Sequence, residues 1–142
     1  MRYACLVYHD PTKLAELPEA EKIAAIVAEC EAAAAWRAEM QRGGHLVLSA
    51  GLQSPTTATT VRKSDGQLAM TDGPFAESKE FLGGFTIIEA RDLNEALQLA
   101  AKLASPLVTV EVRPILDANA VLSDELDQKI AASVCPRPSF AG

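Results

Sequence analysis

The chain has 142 residues and a formal net charge of −6, and its composition is 49% hydrophobic and 23% charged. This length provides one domain of ordinary size, and the composition is typical of a globular protein rather than a disordered or fibrous one. The acidic balance excludes nucleic acid and anionic membrane surfaces as main partners, because both require clustered Lys and Arg. Aromatic residues make up 5% and 25 residues are alanine, so the core must consist mainly of small and aliphatic side chains.

The cysteine pattern and the apolar runs indicate the cellular setting. Cys5, Cys30 and Cys135 are far apart and form no Cys-x-x-Cys pair, so we expect neither a disulfide framework nor a structural zinc site. No run approaches the ~18 apolar residues that a membrane span requires, and the N-terminus lacks the pattern of a signal peptide. These features predict a cytoplasmic protein that does not enter a membrane.

The first elements are a strand, a long helix and a second strand. Residues 2–8 predict a short buried strand, which a turn at His9-Asp10-Pro11 ends. A helix is predicted to begin near Pro18, with acidic residues in its first turn, and to end at Gly43-Gly44. Residues 45–52 follow as the next strand.

The long helix has an apolar stripe that we expect to face the sheet. Arg37 lies on this stripe and Trp36 lies off it, so the helix is predicted to meet a further surface, with Trp36 as an interface anchor. The stripe consists of Ile23, Ile26, Val27, Cys30 and Ala34 at i, i+3, i+4 spacing.

The second half alternates short strands with helices. Ser64-Asp65-Gly66 predicts a hairpin turn, and Asp92 with Glu95 predicts a capping box at the start of a helix. That helix has an apolar stripe of its own: Leu93, Ala96, Leu97, Ala100 and Ala104. The remaining predicted elements are strands at 57–63, 67–71, 83–90 and 107–116, and a terminal helix within 119–134.

This order predicts an α+β fold, with two helices on one face of an antiparallel sheet. Residues 1–117 form the predicted domain, and residues 118–142 a C-terminal helical extension and tail. Because a protein of this size rarely exposes a large apolar sheet face, we expect a second copy to cover the other face, giving a homodimer.

Residues 71–85, TDGPFAESKEFLGGF, hold the densest group of unusual residues. Gly73-Pro74 and Gly83-Gly84 are typical of a plain connection between strands. A plain turn does not require the charges of Asp72, Glu77 and Lys79 beside Phe75, so the segment is also a candidate functional loop.

This segment resembles the signature of the DGPF-domain proteins, a branch of the YCII-related family. The flanking segments GLQSPTTATTVR and DLNEALQLAAKL match in order, and the resemblance covers about residues 1–117. It implies a ferredoxin-like fold that dimerises through packed sheets, as in dimeric α+β barrels. Proteins of this family are suspected to be enzymes, because many carry a His and an Asp suited to acid–base catalysis. One relative acts as a dehydrochlorinase on a hydroxylated chloroaromatic. DGPF proteins are often encoded beside sigma factors, which implies a regulatory partner.

The family's Asp corresponds to Asp72, while the helix at 18–42 contains no histidine. The candidate catalytic residues are therefore Asp72 with His9 or His45, since a histidine oriented by a carboxylate exchanges protons near neutral pH. Asp72 could equally hydrogen-bond amides of its own turn. The candidate substrate-binding residues are Glu77, Lys79, Phe75 and Arg62. No metal-ligand spacing, phosphate loop or dinucleotide motif is present, so we expect no metal and no cofactor.

Two functional hypotheses follow. The first is a small cofactor-independent enzyme that does acid–base chemistry on a small polar or aromatic molecule. The alternative is a non-catalytic interaction or ligand-sensing protein associated with sigma-factor regulation, in which the charged 71–85 segment and the terminal helix are docking surfaces.

Overall fold

The structure is a computed structural model and describes residues 1–117. A short 3₁₀ turn at Pro55–Thr57 accompanies the regular elements. In chain order these are β1 (Arg2–His9), α1 (Pro11–Ala15), α2 (Glu19–Arg42), β2 (Leu46–Gly51), β3 (Thr59–Ser64), β4 (Gln67–Asp72), β5 (Phe81–Glu89), α3 (Leu93–Ala101) and β6 (Val108–Pro114).

The main sheet has four antiparallel strands in the order β2-β5-β1-β6. Strands β3 and β4 form a separate two-stranded sheet, inserted along the chain between β2 and β5. The predicted α+β class with a ferredoxin-like antiparallel sheet is confirmed.

The core lies between this sheet and the helices. Tyr3 and Cys5 of β1 and Ile88 of β5 are buried against Trp36 and Met40 of α2, and Ala96 and Ala100 of α3 complete the cluster. Side chains alternate along a strand, so Leu6 and Tyr8, like Phe85 and Ile87, lie on the opposite face of the sheet. These four side chains are half-buried. Its coverage by a second copy stays a prediction.

The prediction of which face of α2 points toward the sheet is wrong. Ile23 is 73% exposed, and Ile26, Val27 and Cys30 are also exposed, whereas Trp36 is 4% exposed and lies in the core of its own chain. The indole Nε1 of Trp36 donates to the Leu99 carbonyl at 2.8 Å. This bond satisfies a carbonyl in the last turn of α3, which has no partner within the helix. Trp36 therefore joins the two helices, and the aliphatic stripe faces outward.

The predicted capping box at the start of α3 is confirmed, and the predicted apolar stripe of this helix is confirmed in part. The Asp92 side chain accepts from the Glu95 amide at 2.8 Å, and the Glu95 carboxylate accepts from the Arg91 amide at 2.6 Å. Of the predicted stripe, Ala96 and Ala100 are buried and Leu93 and Leu97 are exposed, while Ala104 is exposed and lies beyond the end of the helix. Leu99 of α3 and Leu103, two residues beyond its end, pack partly buried against the core instead.

Local signals determine two further features. The β3–β4 hairpin turns at Asp65-Gly66, and both residues have a positive φ (51° and 76°), as in a type I′ turn. A short helix, α1, follows β1 where a turn is predicted, with Pro11 at its start and Asp10 as its N-cap. Asp-Pro-Thr is a typical helix start, so this helix was readable from the sequence.

Among residues 1–117, no helix is both long enough and apolar enough to cross a membrane. The predicted terminal helix within 119–134 lies outside the described residues.

Candidate functional site

A cleft of about 280 Å³ lies between α2 and the helix-covered face of the sheet, at the end where β1 finishes. Val7, Trp36, Leu103 and Val108 supply apolar surface. The polar groups that line it are His9, Glu29, Arg37, Ser49 and Thr86. An apolar hollow with a few convergent polar groups is the usual form of a small-molecule site.

His9 is held in this cleft by the geometry of the sheet. It is the last residue of β1 and lies between Phe81 of β5 and Val108 of β6. The β1–β5 register shifts at Val7/Tyr8, which leaves Gly83 as the extra residue of a bulge. A Cβ at residue 83 would lie 2.6 Å from His9 Nε2, so only glycine leaves room for the imidazole. The His9 and Phe81 rings are 5.6 Å apart between centroids.

Glu29 supplies a carboxylate to the same cleft. It lies on the inward face of α2, seven residues before Trp36, and its Oε1 accepts from Ser105 Oγ at 2.9 Å. Ser105 Oγ in turn accepts from the Leu107 amide at 3.2 Å. Sequence reasoning missed Glu29 because it assigned the wrong face of α2 to the sheet. With Trp36 taken as inward, the i, i+7 spacing would have indicated Glu29.

Two hydroxyl groups form the floor of the cleft. Ser49 of β2 and Thr86 of β5 lie opposite each other in the sheet, and their side-chain oxygens are 2.8 Å apart. Thr86 is buried. One hydroxyl of the pair donates to the other, so one further hydrogen can be offered to a bound molecule.

The other two predicted catalytic residues lie elsewhere. His45 precedes β2 and its Nδ1 is 2.8 Å from the Glu89 carbonyl, at the opposite end of β5 from Phe81. Eight strand steps make that separation roughly 26 Å. Asp72 ends β4, and its exposed side chain has no hydrogen bond or ion pair to any described residue. Within residues 1–117, neither histidine is hydrogen-bonded to Asp72.

Two of the four predicted substrate-binding residues border a different hollow. Phe75 and Glu77 line an open groove of about 920 Å³ between residues 73–82 and the Ser54–Ala58 turn. Arg62 is 4.9 Å from the Phe75 ring centroid and donates to the Phe75 carbonyl at 3.4 Å. This groove contains neither histidine, so the His9 cleft is the better candidate for proton-transfer chemistry.

Lys79 connects the 73–80 segment to the end of β1. Its Nζ is 3.7 Å from Asp10 Oδ2, and the Asp10 side chain is only 4% exposed. Asp10 Oδ1 also accepts from the Thr12 amide at 2.9 Å and from the Thr12 hydroxyl at 2.5 Å. The Thr12 hydroxyl bond above all, together with the Lys79 charge, lowers the pKa of Asp10 below its ordinary value.

Asp10→Asn should therefore lower the melting temperature more at pH 7 than at pH 3. The native state favours ionised Asp10, so its contribution is present above the ordinary Asp pKa of ~3.9 and is lost as the pH falls through the lowered native pKa. Thermal melts at the two pH values check this. Asp72→Asn, at a carboxylate without contacts to the described residues, is the matched control and should change neither melt. A difference of equal size at pH 7 and pH 3 would contradict the assignment.

Within residues 1–117, no three His, Cys, Asp or Glu side chains lie close enough together to hold a metal ion. The cleft thus supplies an imidazole, a carboxylate, a guanidinium and two hydroxyls from the chain itself.

Comparison with known proteins places the chain in a family. The family model described as the YCII-related domain matches residues 1–119. An uncharacterized protein of Rhizobium meliloti (strain 1021) is 45% identical over 75 residues, which cover 51% of this chain and 60% of that protein. The matched segment thus spans less than two thirds of this relative. The DGPF signature at residues 72–75 is a feature within the same family. The chain belongs to the YCII-related family.

Proposed function

We propose that the cleft between α2 and the sheet is the active site of a small-molecule enzyme that works by proton transfer, without a bound cofactor. His9 is the group that accepts and returns the proton. Histidine is the residue type best suited to exchange protons near neutral pH. The observation that carries the proposal is that the His9 imidazole shares one cleft with a carboxylate, Glu29, that Ser105 holds in place.

The other groups have supporting roles. Glu29 provides a negative charge that favours the imidazolium formed when His9 takes a proton, and the Ser49–Thr86 pair offers a hydrogen to an oxygen of the substrate. In such a reaction a C–H or O–H bond of the substrate breaks, its electron pair stays on the substrate, and the proton moves to His9. Return of the proton at another atom completes an isomerisation. Loss of a leaving group instead completes an elimination.

His9→Gln should slow proton transfer by about 10²–10⁴-fold, the range typical of removing a general acid–base group. The assay measures hydrogen–deuterium exchange and product formation by NMR in D₂O, with single-ring phenols, halogenated phenols and small keto acids as candidate substrates. A His9→Gln protein that keeps the parent rate would contradict the proposal.

His45→Gln is the matched control, because His45 lies at the far end of β5 with its Nδ1 at the Glu89 carbonyl. It should keep the parent rate, as should Asp72→Asn. Melting temperatures of the variants separate a catalytic loss from unfolding.

A second candidate function is the docking of a protein partner, with a sigma factor as the partner that the family implies. Phe75 is 75% exposed on the charged 73–80 segment, and Glu77 is exposed beside it. An exposed aromatic side chain among charges is typical of an interaction site. Under this function the His9→Gln protein would have no activity to lose. Homodimer formation through the open face of the sheet also stays a prediction.

A further inference from the structure

Arg37 is a charged residue of the cleft to which the proposed proton transfer gives no role. It lies on α2 one position after Trp36 and lines the cleft. Its guanidinium has no hydrogen bond or ion pair within residues 1–117. Arg2, Arg91 and Arg113, by contrast, each bind a carboxylate in that part of the chain. Arg37 is therefore available to a bound molecule.

The charges around Arg37 favour the binding of an anion at this residue. Glu29 is already hydrogen-bonded to Ser105 and lies eight residues, about 12 Å, from Arg37 along α2. The whole chain carries a net charge of −6, so an unpaired guanidinium at a cleft is a local exception in an acidic surface. Arg37 is an exposed residue, so its guanidinium is accessible to an anion that arrives from solvent.

The size and the walls of the cleft indicate the kind of molecule that it can bind. At about 280 Å³ the cleft lies just below the range of roughly 300–1,000 Å³ that drug-sized ligands occupy, so it suits a molecule of one ring. Val108, Leu103 and Trp36 offer apolar contacts to such a ring.

We propose that the cleft takes small single-ring molecules that carry a carboxylate, with Arg37 as the residue that binds this group. A guanidinium fork matches the two oxygens of a planar carboxylate and binds them bidentately. The apolar walls then bind the ring, in the cleft that the other polar groups also line. This inference deepens the proposed function by naming the substrate class, although binding itself does not depend on proton transfer.

Benzoate and benzamide are the probes, because they have the same shape and differ in charge. Trp36 is the one tryptophan of the chain and lines the cleft, so its fluorescence reports binding directly. Benzoate should bind the parent protein more tightly than benzamide. Arg37→Gln should weaken benzoate by about tenfold or more, as expected when a bond to a charged group is lost, and should leave benzamide unchanged.

Arg42→Gln is the matched control. Arg42 is the last residue of the same helix and does not line the cleft, so its loss should leave benzoate affinity unchanged.

Alkylation of Cys30, an exposed thiol in the wall of the cleft, gives a second measurement of benzoate binding. Benzoate should slow iodoacetamide labelling at Cys30, measured by peptide mass mapping, in the parent and not in Arg37→Gln.

Three results would overturn the inference: equal affinity for the two probes, parent-like benzoate binding by Arg37→Gln, or no response to benzoate up to its solubility limit. The His9→Gln protein separates this inference from the proposed function, since it should lose proton transfer while its benzoate binding should still weaken when Arg37→Gln is added. Arg37-dependent binding without any His9-dependent turnover would remove the proposed function and leave the carboxylate site intact.

Discussion

Trp36→Ala should lower the free energy of unfolding by about 3–5 kcal/mol, the cost typical of truncating a buried large aromatic side chain. Trp36 is packed in the core with Met40, and its indole donates to the Leu99 carbonyl of α3. Truncation leaves a cavity between two helices and the sheet, and it also leaves that carbonyl without its donor. Urea unfolding of the parent and the variant measures the difference.

Two further variants separate the contribution of the buried ring from that of its hydrogen bond and test the orientation of the helix. Trp36→Phe keeps most of the ring volume and removes the donor, so it should cost about 1–3 kcal/mol, the penalty for a buried polar group left unpaired. Ile23→Ala, on the outward face of the same helix, should stay within about 0.5 kcal/mol of the parent, as exposed positions usually do. If Ile23→Ala were as costly as Trp36→Ala, the outward orientation of the aliphatic stripe would be wrong.

Gly83→Ala should lower the free energy of unfolding by about 1–3 kcal/mol, the usual cost of forcing extra volume into a packed site. The added methyl group would overlap the His9 imidazole, so His9 must leave its position in the cleft. The imidazole signals of His9 in an NMR spectrum should shift, while those of His45, at the other end of β5, should not.

A double-mutant cycle tests the cause of this loss. In a His9→Ala background the overlap disappears, so Gly83→Ala should then cost much less than it does in the parent. Gly51→Ala is the matched control in the neighbouring strand, because a Cβ at residue 51 meets no atom within 4 Å. A Gly83→Ala penalty that is unchanged without the imidazole would show that His9 does not occupy the space above Gly83.

Much of the fold was predictable because its signals are local. The order of strands and helices, the Asp92 cap and the Asp65-Gly66 turn each depend on a few adjacent residues. The DGPF segment was equally visible as an unusual stretch. Its Lys79 proved to contact Asp10, a contact that no local pattern in the sequence indicates.

The candidate site was less predictable. The sequence offers His9 and His45 alike, and Asp72 comes from the family resemblance. Within residues 1–117, neither His45 nor Asp72 is hydrogen-bonded to His9. The bulge at Gly83, the Ser105 bond to Glu29 and the Ser49–Thr86 pair all join residues distant in the chain. No spacing rule along one element indicates such pairs.

The scarcity of aromatic residues and the abundance of alanine determined, from the sequence alone, that small side chains would let helices lie close to a sheet. The tertiary structure decided which face of α2 does so. Alanine is apolar but small, so both faces of this helix are compatible with burial, and the periodicity of its branched residues indicated the wrong one. Burial of Trp36 and its bond to α3 outweigh the exposure of Ile23 and its neighbours, because one large, hydrogen-bonded side chain fills the space between two helices and a sheet. That choice of face also brings Glu29 into the cleft that His9 lines.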